Sequence, residues 1–141
     1  MFRITQGRDD FLRVVCVRAI VFMGEQACTY AEEIDGLDEE AIHILGELNG
    51  EPIAAGRVRL AGKTARLERL AIVQSYRGCG YGSQLLEYMS KVAVDRGAEK
   101  LLLHAQVAAI NFYEKHGFYT SGPVFQEAGI AHQLMSRSVP N

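Results

Sequence analysis

Residues 67–89 read LERLAIVQSYRGCGYGSQLLEYM, and their reading decides the fold. Leu67, Leu70, Ala71, Ile72 and Val73 are apolar and partly β-branched, which suits a buried strand. Residues 74–82 break that pattern, and Gly78, Gly80 and Gly82 alternate within them. Beyond the glycines, Leu85, Leu86, Met89, Val92 and Ala93 recur at three- and four-residue steps, the stripe of an amphipathic helix. Gly97 stands where a C-terminal capping glycine belongs. The unit is a strand, a glycine-rich turn and a helix.

Its backbone carries chemistry. A turn that opens a helix leaves several N–H groups without intrahelical partners, and the helix dipole adds partial positive charge there. Glycines let a ligand come close to the main chain. Such a site suits phosphate or pyrophosphate, and Arg77 adds a fixed cation beside it. A lone GxG is most simply a turn with no ligand; a whole strand–RGxGxG–helix unit argues for one. A P-loop requires Gly-Lys-Ser/Thr, and this turn has no lysine. A Rossmann fingerprint requires GxGxxG after the first strand of a βαβ unit; here the spacing is GxGxG and a hairpin region precedes it.

Composition narrows the class. A chain of 141 residues is expected to form one domain, residues 1–141, with a real core. Its 48% hydrophobic and 23% charged residues are ordinary for a soluble globular protein. A net charge of −2 gives no ground for nucleic-acid binding. No apolar run is long enough to span a membrane, and residues 1–10 lack the apolar centre of a signal peptide. Cys16, Cys28 and Cys79 are odd in number and widely spaced, so neither a metal site nor a disulfide framework is expected. Free thiols in a reducing cytoplasm are the simplest account. No lysine or arginine stands between Arg18 and Arg57, a span rich in Asp and Glu; Arg57, Arg59, Lys63, Arg66 and Arg69 follow it. Two solvated faces explain most of these charges.

The remaining elements follow in order. Residues 2–5 form a short strand. Asp9 or Asp10 caps a helix whose residues 11–22 are apolar over more than one face, so the helix is expected to be well buried. Arg18 lies inside that run and needs a partner or a ligand. Residues 24–40 are acidic and irregular. Residues 41–48 and 52–60 form strands around Asn49-Gly50, a strong hairpin signal. The turn at Gly62-Lys63 feeds the central strand, so strands two to four form an antiparallel meander. Residues 100–104 form a strand and residues 107–116 a helix stopped by Gly117. Residues 118–125 and 131–137 form two final strands.

Three sets of residues carry a resemblance. Arg77-Gly78-Cys79-Gly80-Tyr81-Gly82 resembles the Gln/Arg-x-x-Gly-x-Gly/Ala motif of the GNAT N-acetyltransferases. Residues 109–118, AINFYEKHGF, resemble that family's A-x-x-F-Y-E-K-x-G-F landmark. The pattern Val17-Arg18, Val21-Phe22, Glu25-Gln26 and residues 32–35, with Gly129-Ile130-Ala131-His132 and Met135 near the end, is similar to the small bacterial ElaA/YjcF-like subgroup. The resemblance covers nearly the whole chain. It departs at Gln106, where many members carry asparagine. It implies an α/β (α+β) GNAT fold, with a mixed and mostly antiparallel sheet of about seven strands flanked by about four helices. It implies an enzyme, an acyltransferase that moves the acetyl group of acetyl-CoA directly to an amine. A homodimer is a candidate assembly, because exposed C-terminal strands of this fold often pair.

The resemblance also assigns roles. The loop amides of Gly78, Cys79, Gly80, Tyr81, Gly82 and Ser83, with Arg77, would hold the pyrophosphate. The backbone of Leu70 and Ile72 would pair with the pantetheine arm, and Asn111 would contact the cofactor. Cys79 would act through its N–H and not as a nucleophile. Acetyl transfer needs a base for the amine and a proton for the departing thiolate. Tyr113 is the expected acid, since a phenol with an ordinary pKa of about 10 stays protonated at neutral pH. His132 is the expected base. Glu68 is its rival, and His104 a distant second; His43 and His116 have no comparable support. Read without the resemblance, Tyr113 is a packed aromatic and His132 a strand histidine. The acceptor is expected to be a small-molecule amine. Arg18 and Arg69 favour an acidic one, because guanidinium grips carboxylate or phosphonate at two points. The acidic stretch before residue 40 favours a cationic one. A protein or peptide acceptor, and a non-catalytic acyl-CoA-binding module, are the alternatives.

Overall fold

The computed structural model describes residues 1–140. One seven-stranded sheet runs in the order β1-β2-β3-β4-β5-β7-β6. Its strands are β1 (Phe2–Ile4), β2 (Ile42–Leu48), β3 (Glu51–Ala61), β4 (Thr64–Ile72), β5 (Lys100–Gln106), β6 (Tyr119–Glu127) and β7 (Ile130–Ser138). All neighbours are antiparallel except β4 and β5. The meander of strands two to four is present, and Asn49 and Gly50 turn it with φ of 52° and 81°.

Four helices flank the sheet: α1 (Gly7–Arg18), α2 (Tyr30–Glu33), α3 (Tyr81–Asp95) and α4 (Ile110–Glu114). On one face Leu85, Leu86, Met89, Val92 and Ala93 of α3 pack on Ile44, Val58, Ala65, Leu67 and Leu101. A Cβ at Gly56 would lie 2.4 Å from Met89 Sδ, so the missing side chain sets how closely α3 approaches β3. After Arg96, Gly97 adopts φ 92°; its N–H bonds Val94 O and the Ala98 N–H bonds Ala93 O, closing the helix as its position suggested. On the other face Val14, Val17 and Val21 cover Leu45, Ala55 and Ala71.

Three expectations change. α1 starts at Gly7 and no side chain caps it; Asp10 lies within the first turn, accepting from the Gln6 N–H and pairing with Arg3. The helix is covered on one side only: Leu12 and Ile20 are half exposed, and the chain runs on as a π-helix, Ala19–Glu25, that shifts the apolar stripe. Residues 107–116 are not one helix but a 3₁₀ turn, Val107–Ala109, followed by the short α4.

Candidate active site

β4 and β5 are hydrogen-bonded only at their starts, where Thr64–Arg66 faces Lys100–Leu102. Both strands continue, β4 to Ile72 and β5 to Gln106, without pairing with each other. A bulge on β4 helps to separate them. Ala55 faces Ala71 and Arg57 faces Glu68, so Gly56 alone opposes Arg69 and Leu70. Arg69 takes φ 55°, the left-handed region a non-glycine residue seldom enters. A cleft of about 780 Å³ opens between the strands. Its main-chain edges are free to pair with an extended ligand.

Next to the cleft, beyond Ile72 and Arg77, lies a stretch of open main chain. Beyond Ile72 a 3₁₀ turn, Gln74–Tyr76, leads into the glycines and α3. Gly78 and Gly80 have φ of 76° and 86°, and a Cβ at either would meet nothing within 4 Å, so conformation rather than crowding calls for glycine. Gln84 is the first α3 residue to bond back, to Gly80 O at 3.2 Å, and no side chain caps the helix. The amides of Tyr81, Gly82 and Ser83 therefore stay open. These open amides and the free strand edge fit a pyrophosphate with an extended arm. Arg77 lines the cleft, yet its charge is partly met: Nε donates to Ile72 O and Nη2 pairs with Glu25 at 2.8 Å. Cys79 is exposed, with Sγ 3.6 Å from Arg77 O. Ser83 Oγ meets His116 Nε2 at 3.0 Å. Leu70, Ile72, Arg77 and Tyr113 line the cleft, whereas residues 78–83 and Asn111 stand outside its lining.

The cleft itself is lined by side chains, Tyr113 and His132 among them. Tyr113 comes from α4 and packs edge-on against Phe112 and Phe118. Burial pushes its phenol up to about 12, so it stays protonated. His132 comes from β7, where it faces Gln106 of β5 and Phe125 of β6. Its side chain is nearly buried, 8% exposed, and Nδ1 lies 2.7 Å from Ile130 O. In the neutral ring Nδ1–H donates to that carbonyl, leaving the Nε2 lone pair free to accept a proton. Glu127 Oε2 is 3.7 Å from Nε2, and Glu127 Oε1 is 3.0 Å from His104 Nδ1.

Glu68 lines the cleft but is tied down. Arg59 Nε lies 2.6 Å from it and Arg57 Nη2 3.0 Å. Burial alone would raise its pKa, but the Arg59 hydrogen bond and both guanidinium charges outweigh this and hold it below the ordinary value. Such a carboxylate is a weak base.

Arg18 does not reach the cleft. It is 2% exposed, gripped by both Glu33 oxygens at 2.8 and 2.7 Å and by Asp38 at 2.8 Å. The acceptor contact expected of it is not available, because its donors are spent on the acidic loop; burial, which alone would lower its pKa, is outweighed by these bonds. Arg69 does line the cleft, with Nη2 on Glu33 O at 3.0 Å and Asp35 at 3.3 Å. The acidic stretch is thus divided: Glu39 and Glu40 are exposed, while Glu33, Asp35 and Asp38 clasp arginines. Among these is Arg57, whose side chain is 1% exposed and holds Asp35, Asp38 and, from β4, Glu68.

Sequence reasoning passed over Arg66 and Glu127, which also line the cleft. A signal for Arg66 existed: Arg66 and Glu68 alternate with buried Ala65 and Leu67, as Arg57 and Arg59 flank Val58, marking one polar sheet face.

Comparison with known proteins adds to this geometry. A family model described as "Acetyltransferase (GNAT) domain" matches residues 20–139. The uncharacterized N-acetyltransferase YjcF of Bacillus subtilis (strain 168) is 38% identical over 135 residues, covering 95% of this chain and 96% of the relative. The crystal structure of Escherichia coli ElaA superposes with a TM-score of 0.88 at 27% identity, covering 98% of this chain and 99% of that one. An acyl-CoA N-acyltransferase from Pseudomonas aeruginosa gives the same TM-score at 25% identity, with the same coverage.

Proposed function

The chain belongs to the GNAT acetyltransferase family and is an acetyl-CoA-dependent N-acetyltransferase; we propose that its acceptor is a small-molecule amine, that His132 takes the amine's proton and that Tyr113 supplies the proton for the departing thiol. The observation that carries this reading is the split between β4 and β5, with open helix amides next to the cleft beyond Arg77 and both side chains in its lining. The amides of residues 78–83 and Arg77 would hold the pyrophosphate, the backbone of Leu70 and Ile72 would pair with the extended arm, and Asn111 would add a contact at the edge. The acyl-CoA brings the activated acetyl group; the chain's own residues orient it and move protons. The free lone pair on His132 Nε2 supports its role, and the depressed pKa of Glu68 weakens the rival. Tyr113, kept neutral by burial, suits a proton donor. Three unpaired cysteines suit a reducing cytoplasm.

The test is CoA-thiol release from acetyl-CoA with a panel of acidic amino acids, amino-phosphonates, polyamines, aminoglycosides and lysine peptides. His132→Ala and Tyr113→Phe are each expected to lower kcat by about 10²-fold or more, the scale of general acid–base catalysis. Full activity in both variants, or acetyl-CoA binding with no transfer to any amine, would contradict the assignment and favour a binding module.

A further inference from the structure

Charges around the cleft are almost all matched. Glu33 is held by Arg18 and Arg69, Asp35 by Arg57 and Arg69, Glu68 by Arg57 and Arg59, and Arg77 by Glu25. Glu32 closes a capping box with Thr29 at the start of α2. Among the described residues two cleft charges are left over. Arg66 lines the cleft and has no carboxylate partner. Glu127 lines it and meets no guanidinium or ammonium, only the rings of His104 and His132.

The leftover charges are of opposite sign and are linked through one face of β5. Arg66 is in register with Leu102 on β5. His104, which touches Glu127, is two residues further along that strand on the same face, about 7 Å at the rise of a strand. A guanidinium takes carboxylate or phosphonate at two points. An ammonium docked on Glu127 would lie beside His132 Nε2, the atom with the free lone pair.

We infer that the acceptor is zwitterionic, an amino acid or amino-phosphonate, with its anionic end on Arg66 and its ammonium on Glu127. The inference rests on the proposed role of His132. The ammonium gives one proton to His132 Nε2; the freed lone pair forms the C–N bond, the nitrogen sheds its second proton to solvent as the C–S bond breaks, and the sulfur takes the proton Tyr113 supplies. With His132 and Tyr113 restored from solvent, each transfer releases one proton net. The groups facing His132 are Glu127 and Phe125 from β6 and Gln106 from β5, with His104 of β5 on the other oxygen of Glu127. Arg66 thereby replaces Arg18 as the expected anion grip.

The test compares kcat/KM for matched sets: an amino acid, its carboxamide and its decarboxylated amine, with aminomethylphosphonate alongside. Wild type is expected to prefer the carboxylate over the carboxamide by about tenfold or more, the scale of one bidentate ionic contact. Arg66→Gln is expected to bring that ratio to within about twofold of unity, with Arg66→Lys between the two. Glu127→Gln is expected to raise KM for every amine and leave the ratio in place. Thermal melting and acetyl-CoA affinity verify that each variant is folded. A ratio near one in wild type, or a ratio unchanged in Arg66→Gln, overturns the inference while leaving acetyl transfer intact. No transfer to any amine by a folded, acetyl-CoA-binding protein overturns both.

Discussion

The two ends of the proposed site, the glycine turn and the cleft beside it, are built from different material. At the acetyl-donor end, recognition is assigned to main chain: the amides that open α3 and the unpaired edge of β4. At the acceptor end it falls to side chains from β4, β5, β6, β7 and α4, set against an acidic loop that is itself clasped by arginines. Backbone recognition depends on local conformation, so a short motif with correctly spaced glycines carries it. Side-chain recognition depends on which charges remain free after folding. That is a property of the whole fold.

The comparison can be broken most forcefully at Arg57. Its guanidinium holds Asp35, Asp38 and Glu68 from the centre of the sheet. Arg57→Ala leaves these carboxylates without that partner, and the loss should be about 3–5 kcal/mol, the usual result of removing one member of a buried ion pair. Urea unfolding measures it. If the variant keeps wild-type stability, the loop is not held as described.

Acid should reach the same wall with a smaller effect. Asp35 is held below the ordinary carboxylate range first by its Arg57 hydrogen bond, and Asp38 is held below it by Arg18 and Arg57 despite burial. Carboxylates with depressed folded pKa values stabilise the fold above their unfolded values, near 4, and that stability is lost as pH falls through and below them. His43 is lowered by burial, so its protonation also opposes folding as pH falls below about 6.5. Melting temperature should therefore decline from about pH 6.5 and steeply below about pH 4. Arg57→Ala should flatten the lower step. A wild-type melting curve unchanged down to pH 3 would contradict this pairing.

What the sequence made legible follows the same division. The strand, glycine turn and α3 were readable because every signal lies within thirty residues: the apolar stripe of Leu85 to Ala93, the spacing of Gly78 and Gly80, the stop at Gly97. The meander was readable because Asn49-Gly50 and Gly62-Lys63 dictate tight turns. The fate of Arg18 was not, because its partners lie 15 and 20 residues away across an irregular loop. The partner that a buried Arg18 needs is supplied inside the protein, by Glu33 and Asp38. The bulge at Arg69 was hidden too, since no glycine marks it and Gly56, its counterpart, reads as an ordinary strand glycine. The exposure of Ile20 was not legible because a π-helical segment, Ala19–Glu25, breaks the 3.6-residue period that the pattern assumed.

The most direct measurement is calorimetric titration of acetyl-CoA into wild type, Gly80→Val and Arg66→Gln. Gly80 sits at φ 86° at the N-cap of α3, where a β-branched side chain costs about 1–2 kcal/mol and swings the open amides away. The account predicts that Gly80→Val weakens acetyl-CoA binding about tenfold or more, while Arg66→Gln stays within about twofold of wild type. The opposite pattern, with Arg66→Gln losing acetyl-CoA and Gly80→Val keeping it, would show that the two ends had been assigned the wrong way round.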